Sequence, residues 1–448
     1  MARLKKGETL VSTKNNEYTV EKFLDSGTQA SVYLVNSGGV NYALKWYSKK
    51  NEALILHFTE LMDIGVPKND NGYPDERYVW PQELIVTDNG FGYTMNFIDM
   101  SNYIRLHRLT HHLYIKKENY IRGVPLCDIC INIAEAFRSL HSTGYCYKDI
   151  SSNNIAFNIK TGEVLIFDVD NVVISGKPGE IKGTPKYMAP EVILGITHPN
   201  SESDRFSLAS YYFHMMVGHY PLEGKLRDEY AAANNNVFDD NGFKEVYGKN
   251  ATFCFNTNDT RNNIDSADYA EIRDRWQYTI PPKLKEKFEK TFVKGLPDAK
   301  KSDRTTNREW AALFKEFKKN IVTCSCGKDY FPDAIRCTIC KEALIKNAIK
   351  AFVMEKGATS QREVVFKSGS IIPGKSISQY LAGQPQLAEV LTNPKSGSIG
   401  LKNLSTLEWF YKDSGDASSQ IVPPKSIIAL KSGRSIAFIK REVQITVE

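Results

Sequence analysis

Apolar and polar positions alternate along Ser31-Val32-Tyr33-Leu34-Val35 and again along Val40-Asn41-Tyr42-Ala43-Leu44-Lys45. A period of two predicts two strands, and Gly38-Gly39 between them supplies a hairpin turn. From about Asn51 to Ile64 the apolar spacing becomes helical, as it does from Leu126 to Leu140. The run Val164-Leu165-Ile166-Phe167 is short and wholly apolar, which predicts a buried strand. Leu284 to Gly295 and Arg308 to Lys319 show the one-sided spacing of amphipathic helices. Between Gly218 and Leu284 the chain is polar and rich in asparagine, including Asn234-Asn235-Asn236, and predicts surface loops with short helices. After Ile345 the pattern changes again. Glu363-Val364-Val365-Phe366, Ile427-Ile428-Ala429-Leu430 and Val443-Gln444-Ile445-Thr446-Val447 are short alternating runs between Gly, Ser, Pro and Asn turns, which predicts a β-sandwich.

The chain has 448 residues, enough for a large core and one further domain, so a multidomain protein is expected. Its net charge of +6 is mild and dispersed, so charge gives no reason to expect nucleic-acid or membrane binding. The start, Met1-Ala2-Arg3-Leu4-Lys5-Lys6, is basic but has no apolar segment after it, and no stretch is long enough to span a bilayer. A cytoplasmic protein is therefore expected, and its eight cysteines need an account other than disulfides. Cys324, Cys326, Cys337 and Cys340 form C-x-C-x10-C-x2-C, a layout that suits two knuckles around one structural zinc ion rather than reduced thiols or a redox pair. Cys127, Cys130, Cys146 and Cys254 are expected in apolar packing.

The chemistry concentrates in Tyr147-Lys148-Asp149-Ile150-Ser151-Ser152-Asn153-Asn154. This segment resembles the catalytic loop H-R-D-L-x-x-x-N of protein kinases. One carboxylate there accepts the hydrogen bond of an attacking hydroxyl, and an amide oxygen a few residues later holds magnesium on the triphosphate. Asp168-Val169-Asp170 stands where kinases carry D-F-G, Gly183 to Glu191 resembles the A-P-E end of the activation segment, and Asp204-Arg205-Phe206-Ser207-Leu208-Ala209 resembles the buried helix that follows. Lys45 matches the lysine of V-A-I-K, and Tyr93 to Ile98 resembles the fifth strand and hinge. The resemblance implies an eukaryotic-like (Hanks-type) kinase in which Asp149, Lys45, Asn154 and Asp168 carry catalysis, with Asn154 and Asp168 holding magnesium. ATP would be held by Gly27, Ala30, Val32, Ala43, Lys45, Met95, Asn96 and Ile98, with Glu60, or else Glu52, as the helix carboxylate that fixes Lys45. Arg304 resembles the arginine that pairs with the A-P-E glutamate, here Glu191.

Several positions depart from the family pattern. Leu24 to Val32 keeps only the middle glycine, Gly27, of the phosphate loop. Ser151 stands where serine/threonine kinases carry a lysine, Asp170 replaces a glycine, and Lys148 replaces an arginine that grips an activation-loop phosphate. Ser175 is the expected phosphosite in that loop, and Thr184 the expected contact of Asp149. Within the family, Tyr42 to Tyr47, Tyr78-Val79-Trp80-Pro81, Ser151, Tyr247-Gly248 and the cysteine segment are similar to the bacterial kinases associated with tellurite-resistance gene clusters. That resemblance implies a von Willebrand A-domain protein and a metal-dependent protein phosphatase as partners. Gly374-Lys375-Ser376 and Asn403-Leu404-Ser405 resemble the phosphate-contacting motifs of forkhead-associated domains, with Lys375 in place of the arginine.

The expected architecture is α+β: a two-lobed protein kinase fold followed by a small zinc ribbon and a C-terminal β-sandwich. The boundaries are N-lobe 1–98, C-lobe 99–320, ribbon 321–343 and sandwich 344–448. The expected function is ATP- and magnesium-dependent transfer of the γ-phosphate to Ser/Thr hydroxyls of proteins, including the kinase itself. The alternative is a pseudokinase scaffold that binds nucleotide weakly and assembles partners. A small-molecule kinase fits less well, because the A-P-E segment and its helix shape a peptide-binding surface.

Overall fold

A computed structural model describes residues 3–27, 30–109, 121–178, 183–296, 303–344, 348–358, 360–394, 396–439 and 442–448. The chain forms two compact units, Met1–Asp333 and Ala334–Glu448.

The first unit opens with strands β1 (Thr9–Val11), β2 (Glu17–Ser26), β3 (Ser31–Ser37), β4 (Val40–Tyr47), β5 (Glu83–Thr87) and β6 (Gly90–Asn96), with helix α1 (Glu52–Ile64) between β4 and β5. The strands make one antiparallel sheet in the order β1-β2-β3-β4-β6-β5. Alternation sorts its side chains: Tyr33, Val35, Leu44 and Trp46 pack on one face with Val20 and Ile85. Lys45 and Tyr47 necessarily point to the other, where Tyr47 stacks on Phe91 at 4.8 Å between ring centres and meets Phe58 of α1. Helix α1 starts at Asn51, whose side chain accepts the Leu54 N–H at 3.1 Å, and stops at Gly65 with φ 76°. It buries Phe58 and Leu61.

Below the sheet, Arg77 to Trp80 runs beside the strand that leads into the site. Ile166 donates to Arg77 O at 2.7 Å and Val79 to Ile166 O at 2.9 Å, while Trp80 Nε1 donates to Leu61 O at 3.1 Å. The segment thus ties α1 to that strand.

The helical part follows: β7 (Ile104–Arg105), α2 (Leu106–Leu109), α3 (Gly123–Ser142), β8 (Tyr145–Tyr147), β9 (Ile155–Phe157), β10 (Val164–Ile166), β11 (Val172–Ile174), α4 (Pro190–Ile193), α5 (Ser201–Val217), α6 (Lys225–Ala233), α7 (Asp240–Gly242), α8 (Ala270–Tyr278), α9 (Pro282–Glu289) and α10 (Asn307–Lys318). Helix α5 is buried on every side, which explains why its sequence lacks an amphipathic stripe. Asn200 caps its first turn in a reciprocal capping box, and Gly218 at φ 74° ends it. The amphipathic pattern expected at Arg308 to Lys319 is α10, whose Trp310, Phe314 and Phe317 are buried. The pattern expected from Leu284 to Gly295 begins two residues earlier and passes from α9 into a π-helical turn over Lys290–Lys294.

After α10 comes a short hairpin of β12 (Val322–Thr323) and β13 (Asp329–Tyr330). The second unit contains β14 (Ala348–Glu355), β15 (Arg362–Lys367), β16 (Ile371–Ile372), β17 (Ala388–Thr392), β18 (Ile399–Asn403), β19 (Trp409–Lys412), β20 (Gln420–Val422), β21 (Ile427–Ala429), β22 (Ser435–Ile439) and β23 (Val443–Val447). They form two antiparallel sheets, β15-β14-β23-β22-β19-β20 and β16-β17-β18-β21. Val353, Ile436 and Ile445 from one sheet share a core with Val390, Leu401 and Ile428 from the other, and Trp409 is fully buried within it. Among the described residues, no helix is long and apolar enough to cross a membrane.

Candidate active site

Three stretches converge in the first unit. The loop after β8 carries Asp149 and Asn154, the turn after β10 carries Asp168 and Asp170, and β4 carries Lys45. The loop is fixed from below. Asp204 on α5 accepts the Tyr147 N–H at 2.6 Å and lies 2.9 Å from His141 Nε2, whose other ring nitrogen lies 3.1 Å from Asn307 Nδ2. Burial raises the Asp204 pKa, and its bonds to His141 and Tyr147 oppose that.

Asn154 Nδ2 donates to both Asp149 O and Asp149 Oδ2 at 2.9 Å, which leaves the amide oxygen of Asn154 as an acceptor. Thr184 donates to Asp149 Oδ1 through its N–H and its hydroxyl, each at 2.9 Å, the contact expected from the sequence. The loop and the turn are stitched together by Phe167 N–H to Asn154 O at 2.9 Å and by Lys148 N–H to Asn171 O at 3.1 Å.

Asp168 adopts the left-handed conformation, φ 52° and ψ 52°, an uncommon state for a residue with a side chain. Lys45 Nζ lies 3.0 Å from Asp168 Oδ1 and 3.0 Å from Asp170 Oδ1. Burial opposes the lysine charge, but Tyr93 and the carboxylates of Asp170 and Asp168 outweigh it and hold the Lys45 pKa well above the ordinary range. The oxygens of Asn154 and Asp168 are the donor type a hard cation such as magnesium takes, so the residues fit that ion.

Glu60 and Glu52 do not meet Lys45. Glu60 is exposed and lines a cavity with His57 and Lys148, and Glu52 is exposed and pairs with Lys50 at 3.0 Å. The thirteen residues of α1 turn Phe58 and Leu61 inward, and the distance in sequence from Lys45 does not fix which face of the helix points at the sheet.

The expected nucleotide-contacting positions line up along the sheet. Val32 pairs with Lys45, Ala43 with Met95 and Tyr42 with Asn96. Gly27 donates to Ala30 O at 2.9 Å, and a β-carbon on Gly27 would meet nothing closer than 3.8 Å. Thr28 and Gln29 lie outside the described residues. Asn96 Oδ1 accepts from Gln82 at 2.6 Å, and Ile98 is half-buried. Ser151 is buried, and among the described residues its hydroxyl has no partner. Ser175 Oγ accepts the Ser201 N–H at 3.1 Å.

Arg304 and Glu191 form a two-pronged pair at 2.7 and 2.9 Å, exposed by only 0% and 1%. Lys301 and Ser302 beside Arg304 lie outside the described residues.

In the cysteine segment, one potential ligand atom from each of Cys324, Cys326, Cys337 and Cys340 lies within 4.8 Å of the others. Gly327 at φ 87° and Lys341 at φ 64° follow the two cysteine pairs, and the N–H groups of Ile339 and Cys340 point at Cys337 Sγ at 3.4 Å. Such N–H···S contacts favour thiolate, and the set of four sulfurs fits a closed tetrahedral zinc site. Cys127, Cys130, Cys146 and Cys254 are buried, and burial pushes the Cys127 thiol up to about 12.

Comparison with known proteins supplies the family. Residues 18–313, more than half the chain, match the model described as "Protein kinase domain". A dual serine/threonine and tyrosine protein kinase of Apis mellifera is 27% identical over 136 residues, 30% of this chain and 13% of the relative. The probable CTD kinase subunit alpha homolog of Encephalitozoon cuniculi is 26% identical over 219 residues, 46% of this chain and 60% of the relative. The matched segments thus span less than two thirds of these relatives. Among solved structures, the kinase domain of Mycobacterium tuberculosis PknI aligns with TM-score 0.42 at 16% identity, covering 70% of this chain and 99% of that one. The Cydia pomonella granulovirus kinase PK-1 aligns with TM-score 0.44 at 16% identity, covering 65% of this chain and 92% of that one. On the family match, this chain belongs to the protein kinase family.

Proposed function

We propose that the first unit is an ATP- and magnesium-dependent kinase acting on Ser/Thr hydroxyls of proteins, itself included. The observation that carries the reading is the meeting of Lys45, Asp149, Asn154 and Asp168 in one site, joined by the Asn154 to Asp149 bonds and the Lys45 to Asp168 pair. Asp149 orients the attacking hydroxyl and takes up its proton. Lys45 is the cation for the phosphates, and Asn154 and Asp168 offer oxygens for magnesium, which spreads the charge that builds on the transferred group. Catalysis by such a set is positioning and electrostatics, with no covalent step through the protein.

Two features favour the scaffold as a second reading. The buried hydroxyl of Ser151 brings no charge to the transferred phosphate, and only Gly27 remains of the glycine loop. Transfer of labelled γ-phosphate to the chain itself and to a generic protein substrate separates the two readings. Wild type should label, and Asp149→Asn and Asp168→Asn should each lose labelling, with only the latter also weakening magnesium-dependent nucleotide binding. Nucleotide binding without labelling in wild type would favour the scaffold.

The second unit supports a forkhead-associated-like interaction module without phosphate recognition. Asn403, at 0% exposure, spends its amide on Leu407 O and Val422 O, and the Ser405 hydroxyl bonds to Asn403 and Trp409. Gly374 is required by packing, since a β-carbon there would fall 2.0 Å from Leu381 O. Lys375 alone of these motifs offers an exposed charge. The tellurite-cluster resemblance adds a von Willebrand A-domain protein and a metal-dependent phosphatase as partners in the cytoplasm. Co-purification from cells expressing all three tests that expectation.

A further inference from the structure

The Asp168 turn presents two carboxylates to Lys45, where the family resemblance led to the expectation of a single carboxylate from helix α1. The left-handed backbone of Asp168 and the Asn171 N–H to Asp168 O bond at 2.9 Å close the turn so that residues 168 and 170 face the same way. The second oxygen of Asp170 lies 3.4 Å from the hydroxyl of Tyr47, which belongs to the same strand as Lys45. Asp170 is the less exposed of the two acids, 18% against 47% for Asp168. Helix α1 sends aromatic and aliphatic groups to this region, and its Glu60 lies along the cavity with His57 and Lys148.

We propose that Asp170 is the positioning residue of Lys45, doing from the metal-bearing turn what a carboxylate on α1 was expected to do. The proposal rests on the kinase reading of Lys45 as the phosphate-facing cation. A carboxylate engaged by a divalent cation has less charge to offer an ammonium, so Asp168 holds the lysine less firmly once the cation is bound. Asp170 supplies a second anion that stays with the lysine. The placement of Lys45 then follows β4 and the turn, and not the position of α1.

The test is calorimetric titration of the full chain with magnesium-ADP and, separately, with adenosine, which lacks the phosphates. Asp170→Asn should weaken magnesium-ADP by about tenfold, the size of one charge-assisted contact, and leave adenosine unchanged. Lys45→Met should do the same, and the double variant should lose no more than either alone, because Asp170 acts through Lys45. Asp170→Glu, which keeps the charge and extends the side chain, should retain discrimination between the two ligands. Additive losses in the double variant, magnesium-ADP binding by Asp170→Asn equal to wild type, or lost adenosine binding would each overturn the proposal. So would weakening of magnesium-ADP by Glu60→Gln with none in Asp170→Asn. Phosphate transfer measured in parallel keeps the two readings apart. Its absence in wild type, with the binding pattern intact, would sink the activity and leave the lysine assignment standing.

Discussion

A lysine buried in mid-strand needs counter-charge, and Lys45 finds two carboxylates on a single turn. That Asp149 and Asn154 share one short loop was legible in sequence, while the Asn154 to Asp149 hydrogen bonds are seen only in the structure. The partner of Lys45 was not legible. Spacing pointed to α1, whereas the deciding fact is a left-handed backbone at Asp168 that no residue type announces. His214 is a second case in which environment decides. Burial, with Lys186 and His219 nearby, lowers its pKa from 6.5 to about 3 while its Nδ1 sits 2.5 Å from the Tyr187 hydroxyl. A base with a depressed folded pKa is protonated first in the unfolded chain. Its contribution is therefore complete above pH 6.5 and lost as pH falls from there toward 3, at up to about 1.4 kcal/mol per pH unit. Urea unfolding of His214→Gln should show a shallower acid decline than wild type over pH 6.5 to 5. Parallel declines would show that His214 does not set this limb.

Among elements, those with a clean period were readable and those defined by their neighbours were not. Helix α10 was visible as an amphipathic stripe, and its start is a capping box in which the Thr306 hydroxyl and the Glu309 carboxylate satisfy each other's backbone N–H. Thr306→Ala should cost about 1 kcal/mol in chemical denaturation, and an unchanged midpoint would deny the cap that weight. Strands β21 and β23 were equally clear from alternation. The segment Arg77 to Trp80 was not, because its partner is β10, far along the chain, and only two backbone bonds and one bridge define it. The clustering of the four cysteines was readable because ligand spacing is itself geometry. Cys337→Ser removes the sulfur that two N–H groups point at, so zinc content measured by mass spectrometry should fall to background. Unchanged zinc in that variant would place the metal elsewhere.

At the scale of the molecule, a buried ion pair ties distant parts of the kinase unit together. The Glu191 carboxylate and the Arg304 guanidinium meet across 113 residues with almost no exposure. Arg304 also donates to Gly295 O and Glu202 O, so its loss leaves several buried acceptors unserved. Arg304→Ala should destabilise the unit by about 3–5 kcal/mol, and Arg304→Met combined with Glu191→Gln by clearly less, since no lone charge then stays buried. Urea midpoints for the two variants check this, and equal losses would mean that packing, not charge, is what the pair provides.

That pair also bears on synthesis. Every group proposed to act on ATP or substrate lies before Glu191, so a chain growing on the ribosome carries its complete chemistry while the counter-charge of Glu191 is still to be made. Until residue 304 emerges, folding α4 into the lobe would bury a bare carboxylate, which holds the lobe open and its apolar helices accessible. A nascent chain stalled ahead of Arg304 is therefore expected to be more open to chaperones and proteases than one stalled after Arg304 has emerged.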